Sequence, residues 1–316
     1  MRLTLLTYNV HLFSPLTALP AWFRGQVAVK DDAVRCRKIA KRLLGTSADI
    51  VALTELWHGA YASDLLSRVA HVYPHAYAAP GANYLRGQLL GSGLVLLSKH
   101  PITEATFVPF RDRAGDERWA QKGFICARVH VPSHLDIDVI STHLHAPCGD
   151  APYAAERLSN LAQLVDAIDA LEKRGRQRVL VVGDLNITAG SGEYQILTDA
   201  LSMRGLKDAV EEAQEGAQEG AQEQPLIATI GNNNSLQWLF GGHNKTARVD
   251  YVFAPQDALV SASTQPRYLG AEELSASFKH PYTYKAQEGT GWVVHDLSDH
   301  YPLLATVDLG ARSIIY

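Results

Sequence analysis

The segment Val179-Leu180-Val181-Val182-Gly183-Asp184-Leu185-Asn186 joins an unbroken apolar run to a polar end. Its four consecutive branched aliphatic residues predict a short strand over Val179–Asp184 that is buried on both faces. Sheets covered on both faces occur where strands pack between other layers, so the segment favours an α/β protein. Because side chains alternate along a strand, Asp184 and Asn186 should lie on the same side.

Further segments of the chain alternate between strand-like and helix-like patterns. Those with the length and apolar content of strands are Leu3–Asn9, Asp49–Thr54, Gly93–Ser98, Gly123–Val131, Ile137–Thr142, Arg248–Phe253 and Pro302–Val307. Asp32–Leu44 and Tyr153–Lys173 carry apolar residues at the three-and-four spacing of an amphipathic helix. Such alternation favours layered α/β architecture over an all-helical or all-β fold.

Composition excludes several classes of protein. The chain has 316 residues, of which 47% are hydrophobic and 20% charged, so it can bury a full core and is neither disordered nor a small disulfide scaffold. Its formal net charge of −4 disfavours a processive DNA binder. No apolar run approaches the roughly 18 residues of a membrane span. Three cysteines, Cys36, Cys126 and Cys148, fit a reducing compartment or a fold that does not depend on disulfides.

Residues 211–224 break the globular pattern, because Ala-Gln-Glu-Gly occurs at 213–216 and again at 217–220. Strand-like segments continue on both sides, so we interpret residues 1–316 as a single domain with a solvated, partly helical, low-complexity insertion at about 211–224. The N-terminus is interpreted as a first strand rather than a leader. We expect a cytoplasmic or peripheral membrane protein, or a secreted one if a leader preceded residue 1.

Polar residues recur at the carboxyl ends of the predicted strands, where binding crevices form in α/β sheets. They are Asn9, Glu55, His143, Asp184, Asn186, Asp250, Asp299 and His300. Each alone has an ordinary structural explanation, such as capping a turn. Together, at one edge, they would be expensive to bury unless a hard cation and an anionic substrate neutralised them.

Six motifs resemble, in order, those of the endonuclease/exonuclease/phosphatase superfamily. They are Tyr8-Asn9, Thr54-Glu55, Ser141-Thr142-His143-Leu144, Gly183-Asp184-Leu185-Asn186, Arg248-Val249-Asp250-Tyr251 and Ser298-Asp299-His300. The resemblance spans nearly the whole chain. It implies a DNase I-like, four-layered α/β sandwich in which two packed mixed β-sheets are flanked by helices.

Within that superfamily the chain is most similar to neutral and bacterial sphingomyelinases and to inositol phosphosphingolipid phospholipase C. The likeness is carried by residues 91–102, by Lys122-Gly123 and by residues 141–146. It implies a Mg²⁺-dependent phosphodiesterase of phospholipase C type. Its substrate would be sphingomyelin or a related phosphosphingolipid, cleaved to ceramide and a phosphorylated head group.

The resemblance also implies roles for individual residues. Mg²⁺ prefers carboxylate, amide and water oxygens and keeps positions open for phosphate, and the resemblance places it on Glu55, with Asn9 and Asp299 nearby. Mn²⁺ or Co²⁺ would be substitutes. His300 is the candidate general base because imidazole titrates near neutral pH. By family analogy, Asp250 holds its ring in the right tautomer.

Other roles stay open between alternatives. Asp184 is the rival base, in which case Asn186 positions the water or a phosphate oxygen. His143 would donate to the phosphoryl oxygen or the leaving group. Lys122 is a further phosphate-binding candidate, and its alternative is a solvated surface lysine. His145 is expected to support the site residues or to hold a loop rather than to be a ligand, and Cys36 is expected in the core.

Two other functions use the same motifs. A metal-dependent endo- or exonuclease would act on DNA or RNA with the same site, although the net charge argues against a stable nucleic-acid complex. A non-catalytic binding protein is disfavoured by the complete set of motif residues. For a lipid substrate, Trp22-Phe23 and the segment Phe278–Trp292 are the candidates for peripheral membrane contact. The sequence predicts no oligomeric state.

Overall fold

A computed structural model of the protein describes residues 2–13, 32–82, 89–131, 135–147, 152–176, 178–215, 228–230, 246–261 and 297–309. Their strands are β1 (Arg2–Leu12), β2 (Ile50–Leu56), β3 (His75–Ala78), β4 (Val95–Ser98), β5 (Ile102–Pro109), β6 (Gly123–Val131), β7 (Leu135–His143), β8 (Val179–Asp184), β9 (Leu206–Asp208), β10 (Asp250–Pro255), β11 (Leu259–Ser261) and β12 (Leu303–Asp308). Their helices are α1 (Asp32–Leu44), α2 (Gly59–Val69), α3 (Ala154–Lys173), α4 (Gly192–Ser202) and α5 (Ala209–Glu215), with a 3₁₀ helix at Gly115–Trp119.

The strands form two six-stranded mixed sheets. The first has the order β11-β12-β1-β2-β4-β3, and the second has the order β5-β6-β7-β8-β10-β9. The centre of each sheet is a parallel pair of strands, β1 with β2 in the first sheet and β7 with β8 in the second. Antiparallel strands flank each pair. The centres of the two sheets are therefore built alike.

Three apolar clusters fill the spaces between four layers. One lies between the sheets and includes Leu5, Ala52, Leu180 and Val182. A second packs the outer face of the first sheet against α1 and α2, and a third packs the outer face of the second sheet against α3 and α4. Alternate residues of β8 enter different clusters, so this strand is buried on both faces as its sequence predicts. The predicted four-layered sandwich is confirmed.

All eight predicted strands are present, two of them with identical bounds, β6 and β8. The prediction missed β3, β5, β9 and β11 and also helices α2 and α4. β3 and β5 are edge strands with many exposed residues, so they lack the apolar run that marks the central strands. Strand β2 continues past its predicted end, because Leu56 and Trp57 donate backbone hydrogen bonds to Gly93 and Leu12.

Other expectations have mixed outcomes. The low-complexity segment begins inside α5, which is helical to Glu215 because Ala209 and Val210 are buried, and residues 216–227 lie outside the described part. Cys36 is buried in the core as expected, and Cys148 lies outside the described residues. No helix in the described ranges is long and apolar enough to cross a membrane.

Candidate active site

The strand registers bring the polar residues of each sheet into one row. In the second sheet, His143 of β7 lies opposite Asp184 of β8, which lies opposite Asp250 of β10. Side chains alternate between the two faces of a strand, and these three residues alternate in step with residues that face the other sheet, such as Val139. Their side chains therefore point between the sheets. Strands β7 and β8 approach each other closely at Gly183, since a Cβ there would lie 2.0 Å from the Thr142 carbonyl oxygen.

The first sheet contributes Asn9 and Glu55 by different means. Asn9 has the parity of Leu3 and Leu5, which face the second sheet. Glu55 has the opposite parity, that of Val51 and Leu53. A left-handed backbone at Glu55, with φ of 59°, breaks the alternation and turns the carboxylate toward Asn9. Such a conformation is strained for a residue with a side chain, and strain of this kind is concentrated at functional sites.

Hydrogen bonds join the two sheets at this point. The amide Nδ2 of Asn9 donates to Glu55 Oε1 at 2.8 Å and to Asp184 Oδ2 at 3.0 Å, while its Oδ1 accepts from the backbone N–H of His11 at 3.1 Å. His11 Nδ1 lies 3.1 Å from Glu55 Oε2 and 3.6 Å from Asp299 Oδ1. The structure thus brings Asn9, Glu55 and Asp299 together, with His11 between the two carboxylates.

Two groups of three side chains have the donor atoms for a metal ion. One comprises Glu55, His143 and Asp184, and the other comprises Asp184, Asp250 and His300, with all donor atoms of a group within 4.8 Å of one another. Burial alone would raise the pKa of Glu55, but His11, His143 and Asn9 outweigh it and hold the pKa well below its usual range. Asp250 Oδ1 is a buried oxygen without a hydrogen-bond partner among the described residues. This excess of carboxylate oxygens fits a divalent cation.

His300 and Asp250 form a buried pair. His300 Nδ1 lies 2.8 Å from Asp250 Oδ2, and His300 Nε2 lies 3.8 Å from Asp184 Oδ2. Burial opposes protonation of His300, but the Asp250 and Asp184 carboxylates outweigh it and raise its pKa well above the ordinary value. Burial, together with the Asp250 carboxylate, raises the pKa of Asp184 to about 7. Both candidate bases therefore titrate far from their ordinary pKa values, as is common at active sites.

Lys122 is buried beside His143, so it is not a solvated surface lysine. Its Nζ lies 3.0 Å from His143 Nε2 and donates to the Leu144 carbonyl at 2.9 Å. Burial first, and then the Lys122 charge, hold the pKa of His143 well below its ordinary value. Asn186 Nδ2 donates to the same Leu144 carbonyl at 3.1 Å, and its backbone N–H donates to Asp184 Oδ1 at 2.9 Å.

A buried arginine joins the chain segments that carry site residues. Arg35 of α1 is 1% exposed and pairs with Asp32. Its guanidinium donates to the carbonyls of Val10 and His11 at 2.9 Å and to that of Leu297 at 2.6 and 2.9 Å. It therefore connects the end of β1 to the segment that continues into Ser298, Asp299 and His300.

Sequence reasoning missed His11, Arg35 and Glu117, whose carboxylate pairs with the Lys122 ammonium. His11 had a usable signal, because alternation places it on the same side of β1 as Asn9. No sequence signal marks Glu117 or Arg35. Glu117 lies in a 3₁₀ helix, and Arg35 lies on an amphipathic helix whose pattern does not distinguish it. The loop role expected for His145 agrees with its contacts, because its Nε2 lies 3.1 Å from the Ala114 carbonyl oxygen.

The chain is similar to known proteins over nearly its whole length. The family model described as "Endonuclease/Exonuclease/phosphatase family" matches residues 6–300. Sphingomyelinase C of Bacillus cereus is 23% identical over 322 residues, which cover 97% of this chain and 89% of the relative.

Two solved structures have the same fold. Sphingomyelinase C from Streptomyces griseocarneus is 24% identical, with a TM-score of 0.69 over 97% of this chain and 99% of the other. A mutant beta toxin from Staphylococcus aureus with bound magnesium ions is 21% identical, with a TM-score of 0.69 over 96% of this chain and 99% of the other. The segments considered for membrane contact, Trp22-Phe23 and Phe278–Trp292, lie outside the described residues.

Proposed function

The chain belongs to the endonuclease/exonuclease/phosphatase family, and we propose that it is a Mg²⁺-dependent phosphodiesterase of phospholipase C type that hydrolyses sphingomyelin or a related phosphosphingolipid. The observation that carries the proposal is the meeting of Glu55, Asp184 and the His300–Asp250 pair between the two sheets. Relatives that cover nearly the whole chain and are named phospholipase C and sphingomyelinase C support the substrate class.

The ion would be held by Glu55, with Asn9 and Asp299 beside it. When bound, Mg²⁺ would neutralise phosphate charge and stabilise the leaving oxygen. Mn²⁺ and Co²⁺ are proposed substitutes, because they accept the same oxygen donors and also imidazole.

His300 is the proposed base. Its Nδ1 is held by Asp250, so its Nε2 faces the site and, in the neutral form that prevails above its raised pKa, can take a proton from water. The water oxygen then bonds to phosphorus, and the bond from phosphorus to the ceramide oxygen breaks. His143 is proposed to donate a hydrogen bond to that oxygen or to the phosphoryl group, and because its low pKa keeps the imidazole neutral, the departing oxygen takes its proton from water. Asp184, 3.8 Å from His300 Nε2, is the alternative base, and Asn186 would then orient the water.

A substrate that lies in a bilayer requires contact with a membrane surface, so peripheral membrane association belongs to the proposal. The net charge of the chain does not favour the alternative function, a nuclease. With a net charge of −4, the chain lacks the long-range attraction to a polyanion that nucleic-acid enzymes use. Nucleic acid therefore enters as an alternative substrate in the test.

A substrate panel tests the proposal directly. Purified protein would be assayed with Mg²⁺ or with EDTA on sphingomyelin, lysophosphatidylcholine, inositol phosphoceramide and supercoiled plasmid. We expect release of a phosphorylated head group from a sphingolipid only with Mg²⁺, and loss of that activity in His300→Ala. Cleavage of plasmid without lipid turnover would instead identify a nuclease, and turnover in EDTA would contradict the metal requirement.

A further inference from the structure

Thr229 lies between the two chain segments that carry His300 and Asp250. It is 1% exposed. Its hydroxyl oxygen accepts two hydrogen bonds from the segment that enters β10, one from the backbone N–H of Val249 at 3.0 Å and one from that of Asp250 at 3.2 Å. One buried side chain therefore satisfies the backbone N–H of Asp250 and that of the residue before it.

The backbone of Thr229 is also attached on two sides. Its N–H donates to the Ala247 carbonyl at 2.9 Å, and its carbonyl accepts from the backbone N–H of Tyr301 at 2.7 Å. Tyr301 directly follows His300 in the chain. Thr229 is therefore hydrogen-bonded to Asp250 through its side chain and to the neighbour of His300 through its backbone.

The first sheet holds the other end of the segment that carries His300. The Ser298 hydroxyl donates to the Asn9 carbonyl at 2.5 Å, and the same oxygen lies 3.3 Å from the backbone N–H of His300, which donates to it. The segment thus runs from the first sheet at Ser298 to Thr229 beside β10. The separation of His300 from Asp250 therefore depends on a residue that is bonded to both segments.

We propose that Thr229 is a positioning residue for the base, and that its hydroxyl fixes the backbone of Asp250 so that the carboxylate meets the His300 imidazole. The inference rests on the proposed function, which assigns the base to this pair. Asp250 Oδ2 lies 2.8 Å from His300 Nδ1, a distance that leaves little freedom for the strand that carries it. Buried N–H groups without an acceptor are costly, so without the hydroxyl the backbone at Asp250 should shift toward another acceptor.

Variants of Thr229 separate the hydroxyl from the shape of the side chain. Thr229→Val keeps the shape and the backbone bond to Tyr301 but removes the hydroxyl. We expect kcat to fall about 10- to 100-fold with a nearly unchanged KM, because small misplacements of catalytic groups have effects of this size. Thr229→Ser keeps the hydroxyl and should retain kcat. Thr46→Val is the matched control, since the Thr46 hydroxyl donates to the Leu43 carbonyl at 2.9 Å in the turn after α1, and its kcat should be unchanged.

A double-mutant cycle distinguishes positioning from a general effect on the fold. If Thr229 acts through Asp250, Thr229→Val should lower kcat by about twofold or less in an Asp250→Ala background. A full additional loss in that background would show that the hydroxyl acts by another route. The kinetics use whichever phosphodiester the substrate panel shows to be cleaved. Thermal unfolding verifies that each variant folds, and Thr229→Ala, which also lacks the hydroxyl, replaces Thr229→Val if the latter does not.

A proton magnetic resonance spectrum of the metal-free protein tests the same geometry without turnover. The proton between Asp250 Oδ2 and His300 Nδ1 lies in a short, buried hydrogen bond to a carboxylate, so it should resonate far downfield. His300→Ala identifies the resonance by removing it. We expect the resonance to remain in Thr229→Ser and Thr46→Val and to be lost or shifted upfield in Thr229→Val.

The two readouts separate this inference from the proposed function. An altered resonance in Thr229→Val that Thr229→Ser does not share supports the positioning role, whether or not a lipid is hydrolysed. An unchanged resonance or an unchanged kcat in Thr229→Val overturns the proposal, as do equal losses in Thr229→Ser or absence of the resonance from the unmodified chain. Lack of lipid turnover, with the resonance behaving as expected, would contradict the substrate assignment alone.

Discussion

Replacing Asp250 with asparagine isolates the contribution of one buried charge to the proposed base. Asp250 is fully buried, and its Oδ2 lies 2.8 Å from His300 Nδ1. Asparagine has nearly the same shape and can still accept a hydrogen bond from the imidazole. The substitution therefore removes the negative charge that stabilises a protonated His300 while leaving the backbone of β10 in place.

The size of the effect follows from the type of hydrogen bond. A charge-assisted bond contributes about 1.5–3 kcal/mol and a neutral one about 0.5–1.5 kcal/mol, so the imidazolium formed during proton transfer should lose about 1–2 kcal/mol. Because about 1.36 kcal/mol corresponds to a tenfold change in rate, kcat should fall about 5- to 30-fold. Solvent does not screen the pair, since Asp250 is inaccessible.

The pH profile gives a second, independent readout. Although burial lowers the pKa of His300, the Asp250 and Asp184 carboxylates raise it well above the ordinary value. Removing the Asp250 charge should lower that pKa, so the acid limb of kcat/KM should move to lower pH. Lipid hydrolysis would be measured across pH at saturating Mg²⁺.

A surface pair provides the control. Asp136 Oδ1 lies 2.7 Å from His130 Nδ1, and both side chains are partly exposed, so Asp136→Asn changes the same kind of pair away from the site. We expect its kinetics to match those of the unmodified chain. If Asp250→Asn retained full kcat and an unshifted acid limb, the assignment of His300 and Asp250 as base and orienting residue would be refuted.

Three further predictions concern the metal and the stability of the fold. Glu55→Gln should weaken Mg²⁺ binding by at least about 100-fold in calorimetric titration with an unchanged circular dichroism spectrum, and equal affinity would remove Glu55 from the metal site. Because burial and the Asp250 carboxylate raise the pKa of Asp184 from 3.8 to about 7, its protonated form stabilises the metal-free fold at low pH. That contribution, on the order of 4 kcal/mol, should be lost as pH rises from about 4 to 7. Urea unfolding in EDTA should show this decline and Asp184→Asn should flatten it, whereas identical curves for both chains would contradict the shift. Arg35→Met leaves Asp32 buried without its cation and should lower the free energy of unfolding by about 3–5 kcal/mol in urea. The exposed Arg68→Met, whose partner is Asp64, should leave the midpoint unchanged, and equal effects of the two substitutions would show that burial of Arg35 is unimportant.

Local patterns in the sequence were sufficient to predict the central strands. Residues of β6 and β8 carry runs or alternations of apolar side chains, and the fold buries them where those patterns predict. Edge strands β3 and β5 escaped prediction because no residue of either strand is buried, so their sequences lack the apolar runs that mark the central strands. β3 pairs with β4, and β5 pairs with β6. These contacts between strands cannot be read from the residues of the edge strands alone.

The sequence by itself determined that acidic, amide and imidazole groups follow apolar strands, because both features are local. Only the tertiary structure decided their distances. Asn9 reaches Asp184 across 175 positions of chain, and Ser298 Oγ bonds to the carbonyl of Asn9 across 289. Such contacts depend on how two sheets pack and on where Glu55 leaves the regular strand conformation. The burial of Lys122 beside His143, 21 positions further along the chain, arises in the same way, because lysine is otherwise mostly exposed.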